Sequence, residues 1–188
     1  MNPSRSLPAL GLLVALLLPA PTVYSGSLAP PDLSELVTSS SLVVHGEVVG
    51  ATSRWNEDRS LIVTDVRLRV LTSAKGTAPA EVVLTQPGGT VGKLRVDVAG
   101  AHAFRVGEEV VVFLAPGPRG RLYINGLSRG RLDVVRDTAT GAASVQGMAL
   151  GGAAGAGSPI IETGARDLAR FLDRVRMLVE GVIDGGRD

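Results

Sequence analysis

The segment Ile62-Val63-Thr64-Asp65-Val66-Arg67-Leu68-Arg69-Val70 repeats apolar and polar residues with a period of two. Ile62, Thr64, Val66, Leu68 and Val70 fall on one face, and Asp65, Arg67 and Arg69 on the other. Such a segment is satisfied as a strand with one buried and one wet side. A strand needs neighbours for its backbone groups, and the sequence offers several. Leu42–Val49, Glu81–Gln86, Leu94–Val98, Tyr123–Ile124, Arg131–Val135 and Ala143–Val145 are short and rich in β-branched residues. Val110–Leu114 is apolar at every position, which predicts a central strand covered on both faces. Between these runs lie turn signals: the polar tip Trp55–Ser60, then Lys75–Pro79, Pro87-Gly88-Gly89 and Asp137–Gly141. Short strands separated by turns, with little helix before Gly147, predict a mainly β fold, a small barrel or sandwich.

Helices belong at the two ends. Asp32 is placed to cap a short helix reaching Val37, with Glu35 three residues on as in a capping box. Near the C-terminus, Leu168, Phe171, Leu172, Val175, Leu178, Val179 and Val182 recur at helical spacing opposite a charged face. This predicts an amphipathic helix from about Glu162 to Glu180, ended by Gly181, whose apolar stripe docks on the strands or meets a partner. A glycine- and alanine-rich stretch precedes it and reads as a linker. The expected organisation is an export segment at 1–25, a barrel at 26–146, a linker at 147–158 and the helix region at 159–188.

The export segment is read from charge and hydropathy. Arg5 is followed by the uncharged apolar run Leu10–Leu18, by Pro19 and Pro21, and by the small residues Ser25, Gly26 and Ser27. That is the layout of a cleavable signal peptide, with cleavage expected after Ser25. The run is shorter than the roughly 20 residues that span a bilayer, which favours cleavage over an anchor, and no later apolar run is long enough to span, so no membrane span is expected after cleavage. Arg5 is the only charge removed, which leaves equal numbers of acidic and basic residues. A neutral exported chain with few aromatics argues against nucleic acid as a partner, because such sites need a basic groove and stacking rings. Cysteine is absent, which excludes disulfides, thiolate metal sites and a cysteine nucleophile.

Chemical motifs are sparse. Gly126-Leu127-Ser128-Arg129-Gly130 matches the pattern of a nucleophile elbow, but a strand follows where that elbow needs a helix. The only histidines, His45 and His102, precede Ser128, so a serine hydrolase would need Ser128 with His102 or His45 in an unusual chain order. The competing reading is a glycine-flanked turn between strands. Gly88–Lys93 lacks both ends of a phosphate-binding loop. The histidines show no metal-ligand spacing, and Asn56-Glu57-Asp58 lacks that of a calcium loop, so no metal and no cofactor is expected. The exposed tip residues Trp55, Asn56 and Asp58 are the expected binding residues.

Three segments carry a family likeness. Ser40-Ser41-Leu42-Val43-Val44-His45-Gly46-Glu47-Val48-Val49 resembles the first strand of netrin-like domains and tissue inhibitors of metalloproteinases. Thr64–Gly76 is similar to their second strand and turn, and Phe104–Phe113 to a later strand. The resemblance extends from about Asp32 to Leu114 and implies an OB-like (netrin-like) antiparallel barrel. The whole chain is also similar to uncharacterised exported bacterial proteins in which a Gly126–Val134-like segment and a terminal helix follow in the same order. Metalloproteinase inhibitors of that kind chelate zinc through an N-terminal cysteine. This chain has no cysteine, so that zinc-chelating group maps onto no residue here.

Together these features point to an exported, non-enzymatic binding or accessory module acting on another extracytoplasmic protein. An inhibitor or accessory partner of a secreted protease is the alternative that the resemblance suggests. A serine hydrolase using Ser128 is the second.

Overall fold

The computed structural model describes residues 33–147 and 166–184. The expected signal peptide, the Asp32 cap and nearly all of the linker lie outside those residues. Among the described residues, ten strands and two α-helices run in the order α1 (Leu33–Ser39), β1 (Leu42–Trp55), β2 (Ile62–Lys75), β3 (Glu81–Pro87), β4 (Gly89–Val91), β5 (Leu94–Val96), β6 (Glu109–Pro116), β7 (Leu122–Ile124), β8 (Arg131–Arg136), β9 (Ala143–Gln146), β10 (Arg166–Asp167) and α2 (Leu168–Asp184).

β1 pairs with β2, β2 with β3, β3 with β7, β7 with β6, and β6 returns to β1. These five strands close a barrel of the OB type. The β3–β7 pairing is parallel, and the other four are antiparallel. β1 pairs with β2 on one edge and β6 on the other, and its register against β2 shifts at three points, between Val43 and Val44, His45 and Gly46, and Val48 and Gly50. Bulges of this kind bend and twist a strand, which lets a long one wrap a small barrel. Beyond β6 the sheet continues through β8, β9 and β10. β4 and β5 form a separate hairpin.

The period-two face of β2 points where expected. Ile62, Thr64, Val66 and Leu68 are buried, whereas Arg67 and Arg69 are exposed. The wholly apolar run in β6 serves two cores. Val110, Val112 and Leu114 join Val44, Val48, Val66, Leu68 and Leu84 inside the barrel. Val111 and Phe113 point outward and pack with Val43, the helix α1 residues Leu36 and Val37, and the α2 residues Phe171, Leu172 and Val175. The Phe113 and Phe171 rings meet edge to face, with centroids 6.5 Å apart and planes at 81°. The terminal helix therefore docks on the outside of the barrel, as its apolar stripe predicts.

Two boundaries of α2 differ from expectation. Arg166 and Asp167 are extended and pair with Val145 and Ser144, so the helix starts at Leu168 rather than continuing from Glu162. Asp167 Oδ1 accepts the Arg170 N–H at 2.9 Å, and a short acidic cap outcompetes a helix start farther upstream. The helix also passes Gly181 and ends at Asp184, because Gly181 keeps a helical backbone where a terminator would turn left-handed. At the other end, Lys75 Nζ donates to the Val37 and Thr38 carbonyls at 2.6 and 3.2 Å, satisfying acceptors that the last turn of α1 leaves open. Among the described residues, no helix is long and apolar enough to cross a membrane.

Candidate functional site

Two loops rise at one end of the barrel. The first is the β1–β2 tip, residues 56–61. Asn56 Oδ1 accepts the Leu61 N–H at 3.0 Å, and its Nδ2 donates to Ser60 Oγ at 3.1 Å. Asp58 Oδ1 accepts from Ser60 Oγ at 2.9 Å, and this bond holds the carboxyl below its ordinary value. Short polar side chains that bond their own backbone make this turn locally stable. The second loop joins β6 to β7, where the Gly117 N–H donates to the Arg121 carbonyl at 2.8 Å.

Between the loops lies a cleft of about 440 Å³. Val63, Thr85, Tyr123 and Ile124 form its floor, Leu61 and Leu127 stand at its sides, and Glu57, Arg119 and Arg121 rim it. In OB-type barrels this end, between the first hairpin and the loop joining the fourth and fifth barrel strands, is a recurrent ligand face. Backbone strain marks the same place. Arg59, Arg119 and Leu127, at φ of 57°, 59° and 50°, are the only non-glycine residues with positive φ among the described residues. Arg119 and Leu127 line the cleft, and Arg59 sits in the tip beside it. Side chains other than glycine adopt this region at a cost of about 1 kcal/mol or more, so it persists where a particular loop shape is required.

The charged side chains of the cleft form ion pairs. Arg54 holds Asp65 through two hydrogen bonds of 2.6 and 3.2 Å, and Thr85 Oγ1 adds a third at 2.7 Å. Burial pushes the Asp65 carboxyl up, but the Arg54 and Thr85 bonds outweigh it and hold the carboxyl below its ordinary value. Arg119 lies 2.8 Å from Glu57 across the mouth. Arg121 stands 3.7 Å from both Glu57 and Asp65.

The expected tip residues are thus found beside one cleft, in different roles. Asn56 and Asp58 line it while their polar groups shape the tip. Trp55 pairs with Ile62 at the end of the hairpin, about a third exposed, and is not among the lining residues. The tip composition does not single out Arg119, Arg121, Tyr123 and Leu127. The two arginines have one signal, the turn Gly117–Arg121 that carries them between two strand-like runs.

The Ser128 pattern is a turn between β7 and β8. Leu127–Arg129 is a single tight helical turn, entered through Gly126 at φ 73°. His102 does reach it, but His102 Nε2 bonds the Ser128 backbone carbonyl at 3.2 Å. A carbonyl only accepts, so in this contact the ring nitrogen is the donor. Gln86 Nε2 donates in turn to the His102 carbonyl, beside a second hollow of about 340 Å³ under the β4–β5 hairpin. His45 lies elsewhere, buried in β1, with Nε2 3.0 Å from Glu109 Oε2. Glu109 is also gripped by Arg136 at 2.7 and 2.8 Å. Among the described residues, no group of three or more His, Asp or Glu side chains is placed to hold a metal ion. No protein-family model matches the chain, and no curated protein matches its sequence.

Proposed function

We propose that this chain is an exported, non-enzymatic binding module that acts on another extracytoplasmic protein through the cleft between the β1–β2 tip and the β6–β7 loop. The cleft itself carries the reading: an apolar floor with a charged rim, flanked by all three non-glycine residues held at positive φ among the described residues. Export rests on the Arg5, Leu10–Leu18 and Ser25 pattern. Apolar floors with polar rims are the usual anatomy of protein recognition surfaces. Trp55, Leu61 and Leu127 add exposed apolar area near the cleft.

The reading is tested by affinity capture from the cell's own extracytoplasmic fraction, using the wild-type chain and Leu61→Asp. A partner retained by the wild type and lost with Leu61→Asp supports it. Equal recovery of every bound protein by both forms contradicts it.

A further inference from the structure

We infer that the cleft recognises an acidic peptide segment, an apolar side chain next to an Asp or Glu, and that Glu57 occupies the carboxylate position until the partner arrives. The inference rests on the binding role proposed above and names its ligand chemistry.

Arg121 is the key observation. Its guanidinium lies 3.7 Å from Glu57 and 3.7 Å from Asp65, too far to donate a hydrogen bond to either. Asp65 is already held by Arg54 and Thr85. Arg121 is about two-thirds screened from solvent, yet its planar fork of N–H donors makes no hydrogen bond to the described residues. A guanidinium fork fits a carboxylate through two parallel bonds.

Arg119 is the second cation at the mouth, on a backbone strained to φ 59°. Both arginines face Glu57, whose side chain is about half exposed. Glu57 is the one acidic group that pairs with both rim arginines. Swinging its side chain outward leaves Arg119 without an ion-pair partner among the described residues and Arg121 with only the distant, already bonded Asp65. An incoming carboxylate takes the place of Glu57. Leu61, Val63, Tyr123 and Ile124 then receive the neighbouring apolar side chain.

Glu57 is in effect a tethered competitor. Exposed ion pairs are weak, so Glu57→Gln should tighten binding of an acidic peptide by about 1.4- to fivefold. Arg119→Gln with Arg121→Gln should weaken it about tenfold or more, because charge-assisted hydrogen bonds contribute more than neutral ones. A purely structural Glu57 would give no gain on neutralisation.

The test pans a random dodecapeptide phage library on the immobilised full chain and on the Glu57→Gln, Arg119→Gln/Arg121→Gln and Leu61→Asp forms, with circular dichroism as the check of folding. The expected result is enrichment of peptides with an apolar residue beside Asp or Glu. These peptides bind Glu57→Gln more tightly and are lost with the arginine pair. Leu61-dependent peptides without acidic enrichment, or no gain with Glu57→Gln, overturn this inference and leave the cleft's binding role standing. Absence of any Leu61-dependent peptide overturns both.

Discussion

The guanidinium carbon of Arg131 stands 4.3 Å above the centroid of the Phe104 ring. Arg131 is buried and donates to Asp133 Oδ1 at 2.6 Å, to Glu108 Oε2 at 3.1 Å and to the Ala103 carbonyl at 2.8 Å. One side chain thus ties β8 to the loop that precedes β6. Arg131→Met keeps much of the apolar stem but leaves the carbonyl and both carboxylates without this donor, and is predicted to cost about 2–4 kcal/mol. Arg131→Lys should recover little, since an ammonium cannot reproduce the fork. Urea unfolding midpoints check both.

The glycines of the Gly126–Gly130 pattern are predicted to be structural and its serine dispensable for folding. A Cβ on Gly130 would stand 1.9 Å from the Asn125 carbonyl oxygen and 2.7 Å from Ile124 Cγ2. Gly130→Ala should therefore destabilise by about 3 kcal/mol or more, a clash beyond ordinary overpacking. Gly126, at φ 73°, should lose about 1 kcal/mol on change to Ala. Ser128→Ala should stay within about 0.5 kcal/mol. Thermal melts of the three variants should rank them in that order.

Docking of α2 is predicted to support the barrel wall. Phe171 is buried edge to face against Phe113. Its replacement by Ala removes the centre of the outer core and should cost about 3–5 kcal/mol. Met177 is well exposed on the same helix, and Met177→Ala should change stability by less than about 0.5 kcal/mol. Denaturant titrations of the pair separate a docked helix from a loose one.

Acid should weaken the fold through Asp65 and Glu109. Arg136 holds the Glu109 carboxyl low, against the upward push of burial and with help from His45. Asp65 is likewise held low by Arg54 and Thr85. Both have folded values below their unfolded ones, so the unfolded chain binds more protons as pH falls. Their stabilisation is complete above their ordinary values of 3.8 for Asp65 and 4.5 for Glu109, and is lost as pH drops through the lower folded values. Urea stability measured from about pH 6 down to about pH 3 should fall less steeply in Glu109→Gln than in the wild type.

Strand content was largely readable because burial leaves a local trace. The Ile62–Val70 alternation and the unbroken apolar run Val110–Leu114 each report their own surroundings, and the latter serves two cores as its composition implies. The closing β1–β6 contact, with Leu42 opposite Leu114, is a long-range pairing that no local pattern encodes. The two-residue strand Arg166–Asp167 is too short to carry a period, so a helix is predicted to run through it. The site was legible by halves. The tip announces itself through Asn56-Glu57-Asp58, whereas Arg119 and Arg121 join it only after the barrel closes.

The cleft's role is tested most directly by a photo-crosslinking amino acid placed at Leu61, beside the cleft, and separately at Val106, an exposed residue that does not line it. Illumination in intact cells should join the Leu61-substituted chain to one extracytoplasmic protein, with that adduct absent from the Val106 position and reduced by Arg119→Gln/Arg121→Gln. Identical adducts from both positions, or none from Leu61, would contradict a binding role for this cleft.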